Sequence, residues 1–367
     1  MDAPLILHVT TDTGVGGTES RLALFFEHTD SSKLRHELVT LKPKGKLAHR
    51  IEACGIPVTS LELNDTSRAL QAVGHLRRLI SQRQPRVVQT HLFHANAMAR
   101  PIARVSGVSS VISGYASVDT EMPIWRRIVD AATARFAHIH LANCRAVAAA
   151  AARRIRVSEK NFRIVYPGRP DPLAREQLAS IEARRQKRNP PLVVSVGRLH
   201  RAKGHHVLLE ALQGVGCRWE AVIVGDGPCR RDLEQKAIEL GISNRVRFAG
   251  EVEDPAAYYA EAAVFVLPSL WEGMPGALIE AMFWAVPIVA TAVGGVPEAV
   301  KHAKSALLAS PGDPEALGDL IEEAIENKDL SSRIAAEARN QAKQLFSVEN
   351  MVREWEAVYY DALASQH

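Results

Sequence analysis

The sequence is poor in cysteine, in aromatic residues and in long apolar runs, and each shortage removes a class of protein. Its 367 residues include four cysteines, Cys54, Cys144, Cys217 and Cys229, with no Cys-x-x-Cys pair. That excludes a disulfide-stapled scaffold and the common zinc motifs, and it fits a reducing compartment. No apolar run approaches the ~18 residues that a membrane span needs, and the alanine run at 148–152 is closed by Arg153 and Arg154. Met1-Asp2-Ala3-Pro4 offers no basic leader segment, so a secretory signal is not expected. Aromatic residues make up 5% of the chain and no nucleic-acid-binding motif accompanies them, so nucleic acid is not an expected partner. No Asp-x-Asp pair occurs, and neither a metal nor a cofactor is expected.

What remains is 47% hydrophobic and 23% charged, the composition of a soluble protein long enough for two domains. The net charge of +4 is an average over unequal halves. Residues 1–166 carry 23 Lys+Arg against 13 Asp+Glu, and the rest carry 22 against 28. An asymmetry of that kind suggests that the basic half meets an anionic partner, although a merely solvated surface would look the same.

Short β-rich runs alternate with helical patterns. Leu5–Thr10, His36–Leu41, Pro57–Leu63, Arg86–His91, Ser110–Gly114 and His138–Ala142 read as strands, with helices such as Arg68–Arg83 and Trp125–Phe136 between them. After the proline-rich stretch Tyr166–Pro172 and a polar helix candidate, the alternation restarts. Leu192–Val196, Glu220–Val224, Val246–Ala249, Val264–Leu267, Pro287–Ala290 and Ser305–Leu308 are its strands. Three helical stretches, near Glu315–Glu326, Ser331–Leu345 and Val348–Leu363, close the chain. This βαβ logic predicts an α/β protein of two Rossmann-like parallel-sheet domains. The boundaries expected are 1–166, a linker at 167–190, and 191–347, with the helix at about 348–367 packing back on the first domain. Ligands of such sheets bind beyond the carboxyl ends of the strands, so two facing domains imply a central cleft.

Four segments of the second half fall at such strand ends. In Gly197-Arg198-Leu199…Lys203-Gly204 a strand runs into two cations five residues apart, just before a helix. A guanidinium fork, an ammonium and free helix-start amides together suit a diphosphate. Gly225-Asp226-Gly227-Pro228 is a glycine turn that would let a flat ring approach the backbone; a plain tight turn reads the same. Glu272-Gly273-Met274-Pro275-Gly276-Ala277 leads into a helix carrying Glu280, so two glutamates stand eight apart. Glu280 lies one turn inside an otherwise apolar helix and needs a partner there, such as a ribose diol. The fourth segment is Gly294-Gly295-Val296-Pro297-Glu298. In the first half, Gly16-Gly17-Thr18-Glu19 resembles a phosphate-binding turn without completing the dinucleotide fingerprint. His91, at a strand end, is a candidate catalytic or substrate contact, while His94 and Asn96 read as caps of the helix that follows.

In that order, the motifs resemble the retaining, nucleotide-sugar-dependent glycosyltransferases of glycosyltransferase family 4, which have the GT-B fold. The resemblance extends over essentially the whole chain. It implies that Arg198 and Lys203 bind the diphosphate, that Glu280 holds the ribose, and that Glu272 contacts the transferred sugar. Gly197, Gly225 and Gly227 would border the donor, and the loop of Gly273, Met274, Pro275, Gly276 and Ala277 would line the sugar pocket with its amides. Gly16 and Gly17 would face phosphate or acceptor. Two departures stand out. Many members carry a histidine where this chain has Ile112-Ser-Gly-Tyr-Ala-Ser-Val118, which makes His91 a candidate substitute, and the domain junction reads Pro167-Gly168-Arg169-Pro170-Asp171.

The resulting expectation is a metal-independent, retaining glycosyltransferase. It would move a sugar from a nucleotide sugar, UDP-sugar favoured, to a glycan, lipid-linked or small-molecule acceptor in cell-envelope polysaccharide or glycolipid synthesis. A nucleotide-sugar 2-epimerase of the same fold and a non-catalytic nucleotide-sugar binder are the alternatives. A cytoplasmic protein is expected, peripheral on the inner face of the membrane if Arg77, Arg78, Arg83, Arg126 and Arg127 of the basic half meet anionic lipid.

Overall fold

The structure, a computed structural model, describes residues 3–14, 16–64, 69–118 and 120–364. Val15 of the glycine loop and Arg68, the expected start of a helix, lie outside the described residues. The chain forms two compact units: residues 1–168 with 348–367, and residues 169–347.

The first unit is built on β1 (Leu5–Thr10), α1 (Gly17–His28), β2 (Arg35–Thr40), α2 (Ala48–Ala53), β3 (Val58–Ser60), α3 (Ala69–Arg83) and β4 (Val87–His91). It continues with α4 (Leu92–Val105), β5 (Ser110–Tyr115), α5 (Ile124–Ala134), β6 (Ile139–Ala142), α6 (Arg145–Ile155) and β7 (Phe162–Ile164). Seven parallel strands lie in the order β3-β2-β1-β4-β5-β6-β7. The order reverses between β1 and β4, which places the ligand crevice of this sheet at their carboxyl ends. All six residues of β1 are buried, as a central parallel strand covered on both faces requires.

The second unit opens with α7 (Arg175–Lys187), β8 (Leu192–Val196), α8 (His205–Gly214), β9 (Glu220–Val224), α9 (Arg230–Glu239) and β10 (Val246–Gly250). It continues with α10 (Ala256–Glu261), β11 (Val264–Leu267), α11 (Gly276–Phe283), β12 (Ile288–Thr291), α12 (Val296–Ala299), β13 (Leu307–Ala309), α13 (Pro314–Glu326) and α14 (Lys328–Leu345). Its six parallel strands run β10-β9-β8-β11-β12-β13, so the reversal falls between β8 and β11. Within the stretch read as a linker, α7 is tied into this unit by one side chain. Arg185 donates to the carbonyls of Tyr259 (2.7 Å), Ala285 (2.8 Å), Trp284 (3.0 Å) and Ala260 (3.2 Å). Burial lowers its pKa to about 10.

The last helix, α15 (Val348–Ala364), belongs to the first unit. Met351, Trp355 and Tyr359 enter the core formed by Phe25, Phe26 and Leu38. Trp355 donates its indole N–H to buried Gln89 of β4 at 3.0 Å, and the Tyr359 hydroxyl bonds the same oxygen. Strand β7 and helix α2 are not among the elements read from the sequence. Among the described residues no helix is long and apolar enough to cross a membrane.

Candidate active site

The four glycine-bearing segments of the second half are loops at one end of one sheet, and their backbones are bonded to one another. The loop after β8 meets the loop after β9 through Leu199 N–H to Asp226 O (2.9 Å). It meets the loop after β11 through Leu270 N–H to Ala202 O (2.8 Å). That loop in turn accepts from the turn after β12, Gly295 N–H to Gly273 O (2.8 Å). Two glycines are dictated by this close stacking. Gly225 has φ +131 and Gly294 φ +52, and a methyl group on either would strike a carbonyl of the neighbouring loop, that of Gly197 or of Glu272. Gly225, which the sequence left open between a plain tight turn and the approach of a ring, is required by loop-on-loop packing.

On this platform Lys203 Nζ lies 2.5 Å from Glu272 Oε1, and Ser269 Oγ donates to the same oxygen at 2.8 Å. Buried Thr291, at the end of β12, donates to Ser269 O at 2.5 Å and holds that loop in place. Arg198 is exposed in the same loop as Lys203. The segment thus presents an ammonium, a guanidinium and a carboxylate beside the β8–β11 reversal. The helix-start amides of α11 add to it: Pro275 caps the helix without a side-chain bond, so the first-turn N–H groups find no partner within the helix.

Glu280 has the partner that its position in α11 demands, and the partner is protein. Arg169 Nε lies 3.0 Å from Oε1, and the Tyr259 hydroxyl donates to Oε2 at 3.0 Å. Burial, followed by the Glu280 charge, pushes the Tyr259 phenol well above its ordinary range. The argument that an apolar helix leaves Glu280 in need of a ribose is thereby removed, although a carboxylate retains lone pairs for further donors. Ser269, Thr291 and Tyr259 were not singled out from sequence. Ser269 and Thr291 had a usable signal in their place at strand ends; Tyr259, reaching in from α10, had none.

In the first unit the glycine turn and His91 stand differently from expectation. Gly16 caps α1, and the Glu19 carboxylate folds back over it, where a Cβ on Gly16 would collide with it. It also bonds its own backbone N–H. The helix start thus already carries a carboxyl group of its own chain. His91 is 1% exposed and cannot touch a substrate from where it lies. Its ring stacks on His8, with His8 Nδ1 3.3 Å from His91 Nε2, and His8 Nε2 lies 3.1 Å from His36 Nδ1. Burial holds His91 at about 3 and His36 at about 4, and drives His8 well below the ordinary range, so all three rings are neutral. The reason is positional: the β4 end is covered by α15, whose Trp355 packs on the His91 ring.

The accessible groups beyond β1, β4 and β5 surround a cavity of about 300 Å³, and His94, read as a cap, lines it. Burial, then the charges of Arg126 and Lys42, lower the His94 pKa. Beneath the cavity Asp130 accepts from Arg100 Nη2 (2.6 Å) and Arg154 Nε (3.0 Å), and Arg100 also bonds the Tyr115 hydroxyl (3.0 Å). The His/Cys/Asp/Glu group with metal-ligand spacing among the described residues, Cys217 with Glu322 and Glu326, lies before β9, at the amino end of its sheet.

A family model described as Glycosyl transferases group 1 matches residues 177–341, and one described as Glycosyl transferase 4-like domain matches residues 16–168. The lipopolysaccharide core biosynthesis glycosyltransferase LpsE of Rhizobium meliloti is 34% identical over 148 residues, 40% of this chain and 42% of that one. A GDP-mannose-dependent alpha-(1-6)-phosphatidylinositol monomannoside mannosyltransferase of Mycobacterium tuberculosis is 28% identical over 294 residues, 72% of this chain and 73% of that one. The crystal structure of Anabaena HepE in complex with UDP matches with a TM-score of 0.85 at 21% identity, covering 98% of this chain and 100% of that chain. That likeness speaks for the fold. The chain spans less than half the length of the first curated relatives it matches.

Proposed function

This chain belongs to the group 1 glycosyltransferases of the GT-B fold, and from that premise we propose that it moves a sugar from a nucleotide sugar to an acceptor of cell-envelope glycan synthesis. The transfer retains configuration at the anomeric carbon and needs no metal. The observation that carries the reading is the Lys203–Glu272 pair beside exposed Arg198, on loops that converge at the β8–β11 reversal.

The difficult step is cleavage of the bond between the anomeric carbon and phosphate oxygen. Negative charge grows on the departing diphosphate, and groups already aimed at that charge lower the barrier. Arg198 and Lys203, with the first-turn amides of α11, are those groups. Lys203 exchanges part of its pairing with Glu272 for the diphosphate, which frees the Glu272 carboxylate to accept from hydroxyls of the transferred sugar. Glu280, steadied by Arg169 and Tyr259, accepts from the ribose diol. The departing phosphate oxygen takes the proton of the attacking acceptor hydroxyl. No separate base is then required, which agrees with the burial of His91.

A UDP-sugar is the favoured donor. HepE is described in complex with UDP, whereas the mycobacterial relative is named for GDP-mannose. The names of LpsE and of the mycobacterial enzyme support an envelope acceptor, whether glycan, lipid-linked or small. A part of the proposal is that the first unit rests on anionic lipid at the inner face of the membrane. Supporting this, α5 exposes Ile124 (73%), Trp125 (57%) and Ile128 (63%) beside exposed Arg127. Arg77 and Arg78 are exposed on α3, with Arg83 paired to Glu37 at 3.3 Å. A thermal-shift screen of nucleoside diphosphates and nucleotide sugars tests the donor assignment. A shift with one base identifies it, and no shift with any of them removes the reading. Glu272→Ala is expected to abolish turnover; wild-type turnover in that variant would mean that the site lies elsewhere.

A further inference from the structure

The 300 Å³ cavity of the first unit has a charge pattern that the transfer reading does not account for. It opens at the carboxyl ends of β1, β4 and β5, and its charged groups are sorted along the sheet. Asp12 and Glu19 follow β1; Arg126 and Arg154 stand on α5 and α6, beyond β5 and β6. Burial, and to a smaller extent the Asp12 charge, raise the Glu19 carboxyl against the opposing bond from its own backbone N–H.

The basic side is short of negative charge. Arg100 and Asp130 are buried at 0% and 1% exposure, and the Arg154 side chain is 9% exposed. Two guanidinium groups thus share one carboxylate, and the buried cluster carries a net charge of +1. A buried cation without a counter-charge is costly, so the cluster favours an anion at its open side. That side is formed by Arg154: among the described residues only its Nε makes a hydrogen bond, to Asp130, and its terminal nitrogens are left for the cavity it lines. Arg126 supplies a second guanidinium at the same wall, held over the Phe93 ring at 5.4 Å. Its Nε is buried with no bonding partner among the described residues.

We propose that this cavity binds a saccharide unit that carries an anionic group, a carboxylate or a phosphate. The anionic oxygens lie on Arg154 and Arg126, whose planar forks match either group. Ring hydroxyls donate to Asp12 and Glu19 on the opposite side. The volume is at the lower end for ligand pockets and suits one sugar ring. The inference rests on the proposed transfer in one respect, that the bound unit is the acceptor or its terminal residue; the binding itself does not depend on the donor.

The test is equilibrium binding to the full chain by titration calorimetry, with glucuronate, glucose 6-phosphate, glucose and inorganic phosphate as separate probes and UDP as an independent one. Glucuronate or glucose 6-phosphate is expected to bind at least about tenfold tighter than glucose or phosphate alone, which is about 1.4 kcal/mol. Which of the two binds better distinguishes carboxylate from phosphate. Arg126→Gln is expected to remove that advantage and leave UDP binding unchanged. Arg154→Lys, which keeps the charge near Asp130, is expected to weaken the charged sugars without loss of folded protein. Equal affinity for glucose and the charged sugars, phosphate binding as tightly as sugar phosphate, or no charged sugar bound by about 10 mM each overturns the inference. UDP binding without charged-sugar binding leaves the transfer reading standing alone; charged-sugar binding without UDP binding does the reverse.

Discussion

Gly294→Ala asks whether the loop after β12 positions Glu272, although residue 294 itself carries no chemistry. Gly294 has φ +52, and a Cβ there would fall more than an ångström inside the 3.4 Å at which ordinary contact with the Glu272 carbonyl begins. The left-handed conformation alone costs an alanine about 1–2 kcal/mol. The collision is with backbone, so the loop itself must shift, and with it the Glu272 carboxylate that Lys203 and Ser269 hold. A displacement near 1 Å in a positioned group costs on the order of 100-fold in rate, or about 2.7 kcal/mol. The assay is kcat/KM for donor turnover, with nucleoside diphosphate binding and thermal unfolding measured on the same protein. We expect a loss of about 100-fold in kcat/KM with folded protein retained. The diphosphate contact through Arg198 should survive better than turnover. A variant within about threefold of wild type would refute the reasoning, because the loop would then not set the position of Glu272.

Three further outcomes follow from the first unit. Asp130→Asn leaves Arg100 and Arg154 buried against a neutral side chain and should destabilise the unit by about 3–5 kcal/mol; a urea unfolding curve shifted by less than about 1 kcal/mol would contradict the triad's role. His8, His36 and His91 are neutral when folded, so below about pH 6.5 the unfolded chain binds protons that the folded chain refuses. Stability should fall as pH drops from about 6.5 toward 4, by up to about 1.4 kcal/mol per pH unit for each ring; urea midpoints that stay flat between those values would disprove it. Sedimentation with anionic vesicles should be salt-sensitive and weakened by Arg127→Gln and Trp125→Ala, at roughly 1 kcal/mol per basic residue near the surface. Binding indifferent to salt and to both variants would remove the membrane from the account.

Much of the fold could be read before any coordinates, because strands buried on both faces are continuous apolar runs, as in Leu192–Val196 and Val264–Leu267. The glycine-bearing loops were legible for a related reason: a strand end, a turn and a helix start follow one another within a few residues. Pairing between distant segments was not legible. Nothing local to Glu280 announces Arg169, 111 residues away, or Tyr259 on another helix. The same limit explains His91. Its place at a strand end was correct, but only α15, whose Trp355 lies 264 residues further along the chain, determines that the strand end is covered. Conversely, nothing in the local sequence sets Asp130 and Arg154 apart, and only the packing of α4, α5 and α6 makes them a buried cluster.

The central claim is that the second unit holds a nucleoside diphosphate through Arg198 and Lys203. Titration calorimetry of UDP against the wild type and the Arg198→Ala/Lys203→Ala double variant measures it directly. Each hydrogen bond to a charged group contributes about 1.5–3 kcal/mol, so the double variant should bind UDP at least about 100-fold more weakly, with its thermal unfolding otherwise unchanged. UDP binding of equal strength to both proteins would contradict the claim.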